Sequence, residues 1–283
     1  MVTEVLDWLS VQSTGIYLDG TIGLAGHATA IHSLLSQRGE LFGFDLDEEA
    51  LDISRSKFRA SSPPVTLYHN SYADFPGILK SKGISQVNGI LLDLGLSSMQ
   101  MDSPERGFSY RSAGPLDMRF NSSNGWPASE LIRTTAESDL ADIIYKYGEE
   151  RRSRSIARAI KKAPTMQTIA DLTEAIRRVT PPNHRNRSLA RVFQALRIAV
   201  NGELDNLIKF LDCFSDSLTK GGRIVIISYH SLEDRLVKQT FRRLANKGLY
   251  KILTKKPLRP SPAEVELNRR AKPAKLRVAE RIA

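Results

Sequence analysis

Five short apolar runs recur along the chain, and each stops at polar residues. Run 16–18 ends at Asp19, run 41–44 at Asp45, run 65–68 at the segment HNSYADF, run 90–92 at Asp93, and run 224–227 at SYHSLEDR. Run 90–92 has no polar alternation, which suits a strand buried on both faces of a parallel sheet. Between the runs the apolar spacing is helical. Ala30, Ile31, Leu34 and Leu35 form one such stretch, stopped by Gly39; Ala50, Leu51, Ile53, Ser54 and Phe58 form another, broken by Pro63 and Pro64. Strand and helix alternating in this way predict an α/β domain.

The interval between Asp93 and Ile224 is far longer than a crossover needs, so it predicts an inserted helical domain. One helical pattern centres on Leu140, Ile143 and Ile144, a very basic one covers residues 151–162, and a third starts at Thr168 with Asp171 three residues on, a cap-like start, and ends at Pro181 and Pro182. The long pattern from Leu189 through Leu196, Leu204 and Leu211 to Leu218 is taken as the chain's return to the first domain. A helix over 232–244 and two closing strands, YKILTK and KLRVAER, complete the reading. The expected division is a core built from residues 1–105 and 188–283, with an inserted substrate-recognition domain at 106–187.

Chemistry gathers where the runs stop. After Asp19 comes GTIGLAGHATAIH, a strand, glycine loop and helix, whose exposed N–H groups suit an anionic group. The spacing is not G-x-G-x-x-G, which weakens a nicotinamide or flavin reading. Asp45, 19 residues after Gly26, stands where an acidic side chain reaches ribose hydroxyls in nucleoside-binding α/β folds. Loop and acid together point to an adenosine-containing cofactor. Tyr72, at the third strand end, could cover an adenine or simply pack. Asp93, followed by Gly95, Ser97 and Ser98, lies where open α/β sheets bind ligands, although Asp after a strand also serves as a cap or turn residue.

Composition adds partners and exclusions. Net charge is +10, but residues 151–200 hold twelve Lys/Arg against two acids and residues 251–283 hold ten against three, on an otherwise acidic chain. Segregated charge of this kind predicts a polyanion-binding face, nucleic acid first, with a solvated basic surface as the bland alternative. The single cysteine, Cys213, rules out a disulfide framework or a cysteine metal site. No apolar run nears membrane-spanning length and no basic leader precedes one, so a cytoplasmic protein is expected, with no membrane or metal partner.

With these segments in place the chain resembles the RsmH/MraW family. The resemblance rests on YLDGTIGLAGH, GFDLDEEAL, GILLDLGLSSMQMDSPERGFSYRSAGPLDMR, YGEERRSRSIARAI, FQALRIAVNGEL, IISYHSLEDRLVK and KPLRPSPAEVELNRRAKPAKLRVAE, in order over nearly the whole chain. It implies a Rossmann-like methyltransferase core with an inserted all-helical domain, S-adenosyl-L-methionine as cofactor, and methylation of the exocyclic N4 amine of a cytosine in 16S ribosomal RNA of the small subunit. Implied cofactor contacts are Ala25, Gly26, His27, Asp45, Tyr72, Asp93 and Gln100. This chain departs from the family's usual DATFGRGGH loop at Gly20, Leu24 and Ala25, carries Tyr72 where Phe is usual, and lacks the usual lead-in before Glu4.

Methyl transfer to a conjugated amine calls for positioning and for an acceptor near the amine protons. Asp93, or a backbone carbonyl at Leu94 or Gly95, is the first candidate, with Ser97, Ser98 and His230 next; His230 could equally be a structural helix cap. Arg106, Phe108, Tyr110, Asp117 and Arg119 are expected to hold a flipped base, unless Asp117 and Arg119 form a fixed turn network. Arg151, Arg152, Arg154, Arg158, Lys161, Lys162, Arg185 and Arg187 are expected on the phosphate backbone. The alternatives are a methyltransferase acting on DNA or protein and a noncatalytic RNA-binding assembly factor. A homodimer is left open.

Overall fold

The computed structural model describes residues 1–283, which divide into two compact units, Met1–Gly95 with Leu204–Ala283, and Leu96–Glu203. The first unit opens with α1 (Val2–Leu9), β1 (Ile16–Asp19), α2 (Gly26–His32), β2 (Glu40–Asp45), α3 (Glu48–Phe58), β3 (Val65–His69), α4 (Phe75–Ser81) and β4 (Val87–Asp93). The second unit is all-helical: α5 (Ser98–Asp102), α6 (Ala128–Thr134), α7 (Glu137–Gly148), α8 (Ser153–Lys162), α9 (Ile169–Val179) and α10 (Arg185–Asn201). The chain then resumes the first unit with α11 (Glu203–Cys213), β5 (Leu218–Ser228), α12 (Ser231–Asn246), β6 (Tyr250–Ile252), α13 (Pro262–Leu267) and β7 (Lys275–Arg281).

All seven strands form one sheet in the order β3-β2-β1-β4-β5-β7-β6. The first five positions follow the doubly wound Rossmann order, parallel throughout, and β7 enters antiparallel between β5 and β6. The unalternated runs explain themselves: Leu18, Phe42, Ile90, Leu92, Ile224 and Ile226 face one apolar core with Phe75, Phe210 and Phe214, while Tyr17, Leu41, Leu91, Val225 and Ile227 face a second with Val5, Ile31 and Leu51. Strand order reverses between β1 and β4, and ligands of open α/β sheets bind in the crevice at that switch, beyond the carboxyl ends of the strands.

The second unit has its own core, with Ile144, Ile156, Ile160, Leu172, Ile176, Leu189, Val192 and Leu196 buried together. Its limits differ from the expected 106 and 187 at both ends. Leu96, Met101, Phe108 and Met118 join this core on one side, and α10 joins it on the other, because Leu189, Val192, Phe193 and Leu196 face α7 and its neighbours. The helical pattern that runs from Leu189 to Leu218 is therefore two helices, divided at Gly202, whose left-handed backbone (φ 59°) ends α10 before the chain returns to the first unit. At Gly148 the absence of a side chain is required, since a Cβ there would stand 2.5 Å from the Arg191 carbonyl oxygen.

Candidate active site

In the first unit, Asp19, Asp45 and Asp93 stand at the carboxyl ends of β1, β2 and β4, and His27 stands in the first turn of α2. The loop joining β1 to α2 is pinned from below. Ile22 N–H donates to Phe44 O, Gly23 N–H donates to Asp45 Oδ2 at 2.8 Å, and α3 sends Ser54 Oγ and Lys57 Nζ to the carbonyls of Gly23 and Leu24 at 2.8 and 2.7 Å. Ala25 takes a left-handed conformation (φ 61°) to start α2. A Cβ at Gly20 would lie 2.3 Å from the Leu92 side chain and 2.9 Å from Tyr72 Cβ, so this chain's departure at Gly20 makes the room that Leu92 and Tyr72 occupy.

Burial sets the charge states. Asp19 is 1% exposed, and loss of water raises its carboxyl to about 7; His27 and the Thr21 N–H, which donates to Oδ1 at 3.1 Å, oppose this, while Asp93 and Asp45 add to it. Asp45 is likewise raised by burial, although the N–H groups of Asp47 and Gly23 hold its two oxygens. Asp93 is gripped on both sides: Tyr229 Oη donates to Oδ1 at 3.0 Å, and His27 Nε2 lies 3.4 Å from Oδ2. Burial pulls the His27 ring down, but the hydrogen bond and charge of Asp93, with Asp19 behind, outweigh it and the net shift is upward. Burial and the Asp93 charge push the Tyr229 phenol well above its ordinary range, so it remains a neutral donor. His27 Nδ1 is buried with no protein partner, an open hydrogen-bonding position in the middle of the cluster.

Tyr229 and Asp19 are the members that the sequence did not single out. Nothing in spacing pairs residue 229 with 93; the register does, because Asp93 stands opposite Ile227 and the chain turns just beyond it. Gly95, left-handed at φ 103°, passes against the same ring, where a Cβ would meet Tyr229 at 3.3 Å.

Other expected residues have different employment. His230 is the N-cap of α12: Nδ1 accepts from Glu233 N–H at 3.4 Å and Nε2 lies 3.2 Å from Glu233 Oε1. Its ring is held between two groups of one buried residue, so the structural cap is the reading that the geometry favours over a free base. Ser97 caps α5, its hydroxyl accepting from Gln100 N–H at 3.2 Å while Gln100 Oε1 accepts from Ser97 N–H at 3.0 Å, which engages an oxygen of each side chain at a helix end. Ser97, the exposed Ser98 and Gln100 belong to the second unit, whereas Ala25, Gly26, His27, Asp45, Tyr72 and Asp93 belong to the first. Tyr72 packs edge-on against Phe210 at 5.6 Å.

Among the residues expected on the base, Phe108 is buried in the second unit's core and cannot stack on a nucleobase. Arg106 Nη2 donates to the carbonyls of Arg119 and Phe120 at 3.1 and 2.9 Å, Arg119 forms a two-pronged pair with Asp117 at 2.9 and 2.7 Å, and Asn201 holds Phe120 N–H and Met118 O. These contacts make the fixed turn network. Tyr110 packs edge-on against Phe193. The basic residues fare differently: Arg154, Arg158 and Lys162 follow one another at four-residue spacing along the exposed face of α8, opposite buried Ile156, Ala157 and Ile160, and Arg151 and Arg187 are exposed as well. Arg158 lies 3.5 Å from Glu137, Arg185 donates to Thr180 O, and Lys161 donates to Ile132 O; Arg152 is half-buried.

The sequence profile of the MraW methylase family matches residues 1–282. The chain belongs to that family. Its similar relatives include proteins named "Ribosomal RNA small subunit methyltransferase H" from Kosmotoga olearia, 46% identical over all of this chain and 96% of the relative, and from Sorangium cellulosum, 45% identical over 99% of this chain and 89% of the relative. A third, of the same name, from Koribacter versatilis, is 42% identical over 98% of this chain and 91% of the relative. Family membership thus extends across both units, the helical one included.

Proposed function

We propose that the chain methylates small-subunit ribosomal RNA, using S-adenosyl-L-methionine to modify the exocyclic N4 amine of a cytidine. The observation that carries this reading is the cluster of Asp19, His27, Asp93 and Tyr229 beside a pinned glycine loop at the strand-order switch, in a chain related along its length to proteins named as small-subunit rRNA methyltransferases.

The residues present fit an adenosine-bearing, zwitterionic cofactor. Asp45 is fixed by the backbone N–H groups of Gly23, Leu46 and Asp47 and keeps acceptor capacity for a ribose hydroxyl, Tyr72 is an aromatic side chain at the third strand end, and His27 Nδ1 is a buried polar atom with no partner of its own. Bound there, the cofactor supplies an electrophilic methyl group; the chain's own work is to place and deprotonate the acceptor. An ionised carboxylate has about four acceptor sites. Tyr229 and His27 take one on each oxygen of Asp93, which orients the carboxylate and leaves capacity for an amine N–H. The exposed cations of α8 support binding of the RNA backbone in the second unit. No helix of the chain is long and apolar enough to cross a membrane.

Nucleoside mass spectrometry of small-subunit rRNA from cells lacking the gene, compared with the parent strain, tests the reading. Loss of one N4-methylated cytidine, restored by the wild-type gene and not by an Asp93→Ala copy, is expected. An unchanged nucleoside profile overturns it.

A further inference from the structure

The connection between β6 and β7 lies at the functional edge of the sheet. β7 runs antiparallel to β5, so it begins with Lys275 opposite Ser228, at the carboxyl end of β5, and β6, antiparallel to β7, points toward the same edge. One row of partners crosses the first unit there: Asp93 opposite Ile227, Ile227 opposite Leu276, and Leu276 bridged to Leu258. Three strand spacings place Leu258 about 15 Å from Asp93.

The connection is held firmly. Leu258 and Leu276 exchange backbone hydrogen bonds at 2.9 and 3.0 Å, Thr254 Oγ1 accepts from Val278 N–H at 2.9 Å, Ser261 caps α13, Asn268 caps the turn after it, and Ala271 and Ala274 are buried. Its outer face carries Lys255, Lys256, Arg259, Arg269, Arg270 and Lys272, all exposed, against two acids, Glu264 and Glu266. The Met1 ammonium pairs with Glu264, which leaves the segment more positive still. Among these cations Leu267 is 90% exposed, an apolar side chain available to an unstacked base.

We propose that the β6–β7 connection is a second RNA-binding surface, in which Lys255, Lys256, Arg259, Arg269, Arg270 and Lys272 contact phosphates of nucleotides flanking the target base. The inference rests on the RNA reading of the site and extends it from the helical unit to the catalytic unit. A rigid basic rim on the same edge of the sheet as Asp93 binds backbone without reading sequence, and so positions whichever nucleotide reaches Asp93.

Two triple variants test it, K255A/K256A/R259A and R269A/R270A/K272A, with R154A/R158A on α8 for comparison. The probe is small-subunit rRNA transcribed in vitro, its binding constant measured over a sodium chloride series; adenosylmethionine affinity by calorimetry reports that the first unit is intact. Each triple is expected to lower the slope of log binding constant against log salt by about 2, at roughly 0.7 per phosphate contact, with cofactor affinity unchanged. Parental slopes in both triples, with a lowered slope in the α8 variant, overturn this inference and leave the proposed function standing. Absence of salt-dependent RNA binding by the parent protein overturns both. Unchanged binding to the transcript with weaker binding to the assembled small subunit overturns it in favour of a protein contact.

Discussion

Replacing Asp19 by Asn removes one titrating carboxyl and keeps the oxygen that accepts from Thr21 N–H. In the folded chain this group titrates at about 7, whereas in the unfolded chain it titrates at about 3.9. Across that window the native state holds a proton that the unfolded state has released, so the stability of the first unit falls as pH rises from one value toward the other. A shift of about three units amounts to on the order of 4 kcal/mol, more than half of which lies between pH 5 and pH 8. The Asn variant lacks this term and should gain on the parent by that amount over the same interval. The two tryptophans make the measurement selective. Trp8 lies in the first unit and Trp126, 63% exposed, in the second, so in a Trp126→Phe background urea unfolding followed by tryptophan fluorescence reports the unit that contains Asp19. A variant-minus-parent difference that is the same at pH 5 and pH 8 would refute the account of Asp19 as a carboxyl kept protonated by burial.

Tyr229→Phe deletes a hydrogen bond to a charged acceptor, about 1.5–3 kcal/mol, and should lower turnover by roughly 10- to 100-fold while adenosylmethionine affinity by calorimetry changes far less; normal turnover would deny Tyr229 its hold on Asp93. Asp93→Asn removes the charge that raises His27, so the His27 ring, followed by NMR, should titrate at lower pH than in the parent. Stability that the raised ring contributes below about pH 6.5, and that fades as pH climbs through its folded value, should shrink with it. Gly148→Ala drives a Cβ against the Arg191 carbonyl and should destabilise the second unit by about 1–3 kcal/mol, read from Trp126 fluorescence in a Trp8→Phe background.

The sheet was legible because β1, β2, β4 and β5 are buried on both faces and leave apolar runs, whereas β3, an edge strand that is only half-buried, keeps a run interrupted by Thr66. The domain limits were not, since Leu189 to Leu218 keeps helical spacing straight through Gly202; only packing shows that the first half of the pattern belongs with Ile144 and Ile156. Asp45 and His27 could be read from the glycine loop, but Asp19 looked like the end of a strand, and its proton-holding state depends on burial and on the Asp93 and Asp45 carboxylates at the ends of two other strands. Ser97 and His230 show the opposite ambiguity, for hydroxyl and imidazole serve caps as readily as catalysis. The signal was present in both cases, as Ser97 and His230 each precede by three residues a Gln or Glu whose side chain completes a capping box. Arg106 and Phe108 sat in a polar, aromatic stretch typical of a binding loop, but Phe108 is taken by interior packing and Arg106 Nη2 by two carbonyls, contacts that no local pattern encodes.

The second unit interrupts the chain between β4 and β5, strands that lie side by side. For folding, this means the pairing of Asp93 with Ile227 must close a very long loop, a feature that ordinarily slows assembly. Its equilibrium cost is small, because each doubling of a loop adds only about 0.6 kcal/mol. The interruption also has its own core and local helix–helix contacts, so it can condense before β5 has been made, and a condensed insert ties down most of the loop in advance. During synthesis, β1 to β4 would wait with an open edge at β4 until the helical unit is complete and β5 emerges; that edge, rather than either finished unit, is where an interrupted or slowed chain is most exposed to aggregation.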